Sequence, residues 1–359
     1  MDSMNDARIL IVGAGPTGLT AGLELARRGI VPDIIDRKEQ ASTLSRAVGI
    51  LPRSLDILRP SGVTEKLLEE GIKLENISLY RGRTEAFSFS LNGGHPNWEF
   101  GLALAQDRTE SILHDAFVKY GGRVKYSTEL QDLNQNSENV FVTTADGMRV
   151  EYDYVIGADG VQSITRKALG IDFIGFDLPE TWSIADVDAP DWENHDRFTM
   201  CMLPGGKVVV VAPLERTRFR VISNTADALK TLPLRMHAKN IRRKGTFKIS
   251  IRQVANYSVG RVFLAGDAAH CHSPAGGRGM NLGIADAAEL AGRFANNTLD
   301  GYSVSRYADG KRTIAASEQI RKVVASKNPI VRGTLVLGLA FINQFPFTKK
   351  LLAKRFLSD

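Results

Sequence analysis

The chain has 359 residues, 43% of them hydrophobic and 24% charged, with a formal net charge of +6. That is the balance of a soluble globular protein long enough for two consecutive or interleaved domains. The modest cationic excess suits acidic small molecules, phosphates or a membrane surface, and no basic motif interleaved with aromatics argues for nucleic acid. Cys201 and Cys271 are too few for a disulfide framework and form no CxxC pair, which points to a reduced, cytoplasmic protein.

The polar opening Met1–Asp6 lacks the basic start of a signal peptide. Arg8–Val12 is a continuous apolar run, as expected of a strand buried on both faces of a parallel sheet. It leads into Gly13-Ala14-Gly15-Pro16-Thr17-Gly18, then a helix with Leu19, Leu23 and Ala26 at helical spacing, closed by Gly29. A second strand, Pro32–Ile35, ends at Asp36, 18 positions after Gly18. Alone, GxGxxG is a weak signal. Between two strands, at the start of a helix and followed by an acid, it predicts a dinucleotide site with the pyrophosphate on the helix N-terminus and the adenosine ribose on Asp36.

A helix over Pro52–Leu58 follows, then an alternating stretch, Ile77–Leu91, interrupted by Gly82. Gln106-Asp107-Arg108-Thr109-Glu110 leads into a helix over Ser111–Tyr120, ended by Gly121-Gly122. Val124–Tyr126, Glu138–Thr144 and Arg149–Asp153 read as a small antiparallel meander with Asp146-Gly147 as its turn. Tyr154–Gly157 is another buried strand, ending in Ala158-Asp159-Gly160. Charge then segregates: Asp172–Asp196 carries eight acids and no Lys or Arg, whereas Leu214–Arg252 carries eleven Lys/Arg against two acids. We read this region as a mostly β second domain whose basic segment is a solvated face. The segment between Asp227 and Lys244 is short for a substrate lid.

Arg261–Ala287 holds the third strand-end signal. The strand Val262–Ala265 is followed by Gly266-Asp267, a Pro/Gly-rich loop from Ser273 to Gly279, and a small-residue helix from about Met280. Such a loop aims backbone N–H groups and a positive helix end at a flat or anionic ligand. His270 and His272 have no third ligand near in sequence and read as loop anchor and packing residue rather than a metal pair. The chain continues helically to Ala325 and ends in an apolar segment, Ile330–Phe347, and a basic tail, Lys349–Arg355. The late apolar run Gly333–Ile342 is only ten residues, half of the ~20 that a spanning helix needs. Packing on the protein's own core is the preferred role for this segment, with contact to a membrane or partner subunit as the alternative.

Taken in order, Gly13–Gly18 with Asp36, Asp159-Gly160, and the run GRVFLAGDAAHCHSPAGGRGMN resemble the single-component FAD-dependent aromatic hydroxylases of the para-hydroxybenzoate hydroxylase type, in particular the polyketide and phenol hydroxylase branch. The resemblance covers nearly the whole chain. It implies an α/β fold, with a Rossmann-like FAD-binding domain around a parallel central sheet, interleaved with a mostly β substrate domain and a C-terminal helical segment. The expected boundaries are 1–75, 100–170 and 258–325 for the FAD domain, 76–99 and 171–257 for the substrate domain, and 326–359 for the C-terminal segment.

By the same resemblance, Gly13, Gly15 and Gly18 form the pyrophosphate turn and Asp36 takes the adenosine ribose. Arg46 reaches the pyrophosphate and Gln106 binds along the FAD. Asp159 belongs to a fingerprint shared by FAD and nicotinamide, and Asp267 lies on the ribityl side. Pro274, Gly277, Gly279, Met280 and Asn281 follow the isoalloxazine ring. The implied activity is hydroxylation of an aromatic or polycyclic phenol-like substrate with dioxygen, through a flavin C4a-hydroperoxide, with NADH or NADPH as transient electron donor and no metal. One GxGxxG is what this family requires, because its nicotinamide has no Rossmann domain of its own. Arg278 stands where relatives more often carry Gln or Lys; with Pro274 it is the candidate for a catalytic, flavin-facing role. Facing the ring, it would favour the reduced anion; facing outward, it is a surface charge. A same-fold oxidase or reductase, or a non-catalytic flavin-binding protein, remains the alternative.

Overall fold

The computed structural model describes residues 6–41, 47–342 and 345–357. Its centre is a six-stranded sheet in the order Ser258–Val259, Val262–Leu264, Tyr154–Gly157, Ile9–Val12, Asp33–Ile35, Arg123–Lys125. All pairings are parallel except that of Ser258–Val259. Ile9–Val12 is apolar throughout because both of its faces are covered. Ile9 and Ile11 join Leu19, Leu23 and the helix side of the core. Leu10 and Val12 turn the other way, onto Leu133, Val140 and Val142.

Those last residues belong to an antiparallel meander of Leu130–Gln135, Val140–Thr144 and Arg149–Tyr152. Here the sequence expectation needs correction. Val124 pairs with Ile34 in the parallel sheet, and Leu130–Gln135 takes the place assigned to Val124–Tyr126. The sequence LQDLNQ shows no clean alternation, and its strand is set by pairing with Val140–Thr144.

An eight-stranded sheet forms the second layer, in the order His270–Cys271, Asn240–Gln253, Ile174–Asp188, Arg218–Ser223, Lys207–Pro213, Arg197–Leu203, Asn76–Arg81, Thr84–Ser90. The predicted stretch at Ile77–Leu91 is therefore a hairpin, turned by Gly82 at φ 63°. The two longest strands, Ile174–Asp188 and Asn240–Gln253, run antiparallel and explain the charge segregation. Asp186 takes both Arg220 nitrogens at 2.7 and 2.8 Å, fully buried. Asp188 takes Arg242 at 2.8 Å and Asp177 faces Arg252 at 3.3 Å. Part of the basic segment thus neutralises the acidic strand beside it instead of facing solvent.

The two-residue strand His270–Cys271 pairs with Arg252–Gln253. It carries the segment after Asp267 from the parallel sheet onto the edge of the eight-stranded one. Helices Pro16–Ala26, Gln106–Lys119, Gly279–Asn296 and Tyr302–Val324 pack around the parallel sheet and its edge. Two further helices, Pro329–Ile342 and Pro346–Leu357, lie on the hairpin strand Thr84–Ser90. Leu335, Val336, Leu339, Leu352 and Phe356 close over Phe87 and Phe89 there. Own-core packing is therefore real for one face of this C-terminal segment.

Candidate functional site

The parallel register aligns the strand ends. Val12 stands opposite both Ile35 and Gly157, and Gly157 stands opposite Leu264. Gly13, Asp36, Asp159 and Gly266-Asp267 consequently emerge along one carboxyl edge, where open α/β sheets bind ligands.

The three glycines of the first turn do different work. Gly13 has φ 107°, and a Cβ there would meet the Ala158 carbonyl oxygen at 2.4 Å. A Cβ on Gly18 would lie 1.9 Å from the Gly13 oxygen. These two let chain pass chain. Around Gly15, by contrast, nothing lies within 4 Å of a Cβ position. Gly15 precedes the eleven-residue helix Pro16–Ala26, which has no side-chain cap. That leaves its first N–H groups and its positive end without a side-chain partner, beside the open position at Gly15.

Asp36 is 7% exposed and accepts from the Ala14 amide at 2.8 Å and the Lys38 amide at 2.9 Å. The carboxylate thereby fixes the glycine turn, and each oxygen keeps a second acceptor direction. Arg46 lies outside the described residues. Gln106 accepts from the Ala47 amide at 2.8 Å and donates to Glu110 at 2.7 Å. Burial pushes the Glu110 carboxyl up, opposed by the Gln106 hydrogen bond.

Asp159 is occupied locally. It takes the Ser163 hydroxyl at 2.5 Å, the Ile164 and Thr165 amides at 2.8 and 3.0 Å, and the Thr165 hydroxyl. It thus caps the five-residue helix Ile164–Ala168, while its Cα sits against Gly13. Its side chain shapes the site from behind. Asp267, at the third strand end, is exposed between buried neighbours.

The first and third motifs are locked together through Thr17. Its hydroxyl occupies the room that side chains at Gly266 and Gly283 would need, 2.5 and 2.3 Å from their Cβ positions. The loop Pro274–Gly279 then leads into helix Gly279–Asn296, eighteen residues with no side-chain cap and no acid in its first turn. Pro274 and Gly277 are exposed, Gly279 is half-buried, and nothing crowds a Cβ position at Gly277. Met280 is half-buried against the core.

Asn281 is fully buried with all four of its hydrogen-bonding positions used. It accepts from the Leu51 amide and the Ser54 hydroxyl, both at 2.8 Å, and donates to the Gly49 and Gly277 carbonyls at 3.0 and 2.8 Å. Its side chain is a strut between the loop and the segment Gly49–Ser54, and only its backbone is left to face a ligand. Arg278 is not the outward surface charge that was one of its two expected roles. It is 7% exposed, and its guanidinium donates to the Arg355 carbonyl at 3.3 Å, binding the loop to the C-terminal helix.

One network escaped the motif reading. Asp286, completely buried, accepts from the Gly266 amide at 2.9 Å, from His270 Nε2 at 2.6 Å and from Arg306 at 2.6 Å. Arg306 also pairs with Glu289 and Asp309. Burial would raise the Asp286 carboxyl, but His270, Arg306 and the amide hold it below the usual carboxylate range. His270 is thus the loop anchor that was expected. The one sequence signal was an acid within the small-residue run GMNLGIADAA. His272 accepts no partner at Nε2, donates from Nδ1 to the Ser273 carbonyl at 2.8 Å, and is pushed by burial down to about 4. Both cysteines are buried and free, their thiols pushed up to about 12 by burial. Among the described residues, no group of three or more His, Cys, Asp and Glu is arranged to hold a metal.

The model of the FAD binding domain family matches residues 6–306. The chain belongs to this family of FAD-dependent aromatic monooxygenases. It is 32% identical to a rifampicin monooxygenase of Streptomyces venezuelae, over 83% of this chain and 68% of the relative. It is 31% identical to a pentachlorophenol 4-monooxygenase of Sphingobium chlorophenolicum, over 89% and 65%. The chain thus spans about two thirds of the length of these relatives. The crystal structure of a p-nitrophenol 4-monooxygenase from Pseudomonas putida has the same fold, with a TM-score of 0.91 at 20% identity, over 98% of this chain and 97% of that one.

The residues present fit the FAD that the family binds. An open glycine at one uncapped helix end, a buried acid at the next strand end, and a second uncapped helix behind a glycine loop suit a ligand with a pyrophosphate, a ribose and a flat ring.

Proposed function

We propose that this chain uses FAD and NADH or NADPH to hydroxylate an aromatic or polycyclic phenol-like substrate with dioxygen. The observation that carries the reading is the joining of the two uncapped helix ends. Thr17 seats helix Pro16–Ala26 against Gly266 and Gly283, so that the phosphate end and the ring end belong to one rigid surface.

In this reading the amides after Gly15 hold the pyrophosphate, Asp36 the adenosine ribose, and Asp267 the ribityl hydroxyls. When bound, the flavin supplies electron storage and the activation of dioxygen for insertion of one oxygen atom. The N-terminus of helix Gly279–Asn296 stabilises negative charge on the ring through backbone N–H groups that need no reorganisation. Asn281 keeps that helix end in register with Gly49–Ser54, and the eight-stranded sheet, joined to the segment before the loop through His270–Cys271, would supply the cover against water that the chemistry needs. A phenol is activated either by a side chain of that sheet or without a protein base.

The test is oxidation of NADH and NADPH by the FAD-loaded protein across a panel of phenols and polycyclic aromatics. Stimulation by at least one panel member is expected. A yellow protein that oxidises neither nucleotide with any of them would refute the hydroxylase reading while leaving FAD binding intact.

A further inference from the structure

We propose that the outward face of the two C-terminal helices docks on an anionic lipid surface. Helices Pro329–Ile342 and Pro346–Leu357 both rest on strand Thr84–Ser90, with Leu335, Leu339, Leu352 and Phe356 turned inward. Their other faces are strongly apolar and bare. Ile330 is 72% exposed, Leu337 71%, Phe341 63%, Phe347 78% and Leu351 58%. Positions 330, 337 and 341 share one helix stripe, and 347 and 351 share another. Phe345 is also exposed and stacks edge-on against Phe341, centroids 5.2 Å apart, which joins the two stripes. Single exposed apolar residues are ordinary, but these six between Ile330 and Leu351, five on the two helices and Phe345 at their junction, mark a surface that is covered in use.

Charge selects the occupant. Between Lys327 and Leu357 the sequence has six Lys/Arg and no Asp or Glu. Lys349, Lys350 and Lys354 are exposed on the same helix as Phe347 and Leu351. A second copy meeting this face head-on would set cation against cation with no acid in the segment to relieve it. An anionic bilayer answers both features, with apolar side chains in the acyl boundary and lysines at the headgroups. No helix among the described residues is long and apolar enough to cross a membrane, so the contact lies on the surface. It also reaches inward, because the Arg355 carbonyl on the docking helix accepts from Arg278 in the glycine loop.

The FAD-loaded protein is floated with phosphatidylcholine vesicles, with and without phosphatidylglycerol. Binding is expected only with phosphatidylglycerol and is expected to weaken as salt is raised. Replacing Phe347 and Leu351 by Ser, or Lys349, Lys350 and Lys354 by Gln, is expected to lower the bound fraction about tenfold. These side chains are exposed, so flavin absorbance and the unfolding transition serve as controls for an intact fold. No binding to either vesicle overturns the proposal. So does a dimer in analytical ultracentrifugation that Phe347→Ser converts to monomer, because the face then belongs to a second copy. Neither outcome bears on the hydroxylase reading.

Discussion

Replacing Asn281 by Ala removes a side chain that touches no ligand in this account but holds two pieces of the site together. Four hydrogen bonds of 2.8–3.0 Å are lost at once. Two of the abandoned partners, the Gly277 and Gly49 carbonyls, sit on exposed and half-buried residues and can turn to water. The Leu51 amide and the Ser54 hydroxyl belong to buried residues and stay dry. At about 1–3 kcal/mol for each of the two buried groups left unsatisfied, the variant should lose about 2–6 kcal/mol of stability. Denaturant unfolding with and without FAD measures this, and fluorescence titration gives FAD affinity, expected to fall about tenfold as the loop at Gly277 is released. Asn281→Asp retains the acceptor toward Leu51 and Ser54 but sets a carboxylate against two carbonyls, and should be no better. A change below about 0.5 kcal/mol with unaltered FAD affinity would refute the strut.

The glycine turn gives a sharper contrast. Gly15→Val should abolish the yellow colour while leaving apo-protein unfolding unchanged, since its Cβ meets nothing within 4 Å. Gly13→Val should destabilise the apo-protein itself, at a φ of 107° with the Ala158 oxygen 2.4 Å from the new Cβ; equal apo stabilities would contradict the division of labour. Arg306→Met takes the arginine from the Oδ1 of the buried Asp286 carboxylate, leaving it only Gly266 and His270 on the other oxygen, and should cost about 3 kcal/mol in chemical denaturation. His272 titrates in the fold at about 4 against 6.5 ordinarily. The unfolded chain therefore takes up its proton first as pH falls. Stability due to this group is complete above pH 6.5 and declines toward pH 4, by at most about 1.4 kcal/mol per unit. A pH series of unfolding curves should show that slope flatten in His272→Gln.

The nucleotide-binding opening was legible because its signals are local. An apolar strand, a glycine turn, a helix and an acid follow one another within Ile9–Asp36, and the register that aligns Val12, Ile35 and Gly157 then follows from the parallel βαβ rules. What could not be read depends on distant partners. Asn281 reaches residues some 230 positions away, so a motif match gives its place but not its use. Arg278 reads locally as a choice between ring and solvent, and the Arg355 carbonyl to which it donates lies 77 positions on. Asp159 reads locally as a strand-end acid, and its engagement by the serine and threonine that follow it is a matter of loop geometry that the motif does not carry. The blocks of opposite charge were visible as composition, but only the pairing of Ile174–Asp188 with its two neighbours shows that they meet.

The central claim is that one rigid surface, from Gly15 to Gly279, holds FAD so that an oxygen atom passes from dioxygen to an aromatic ring. Its most direct test is turnover of the FAD-loaded protein with NADH or NADPH, an accepted phenol and isotope-labelled dioxygen, with the product analysed by mass spectrometry. The account predicts one labelled oxygen atom per product molecule, lost together with bound flavin in Asp267→Ala. An oxidised product carrying no label, formed at full rate, would contradict it.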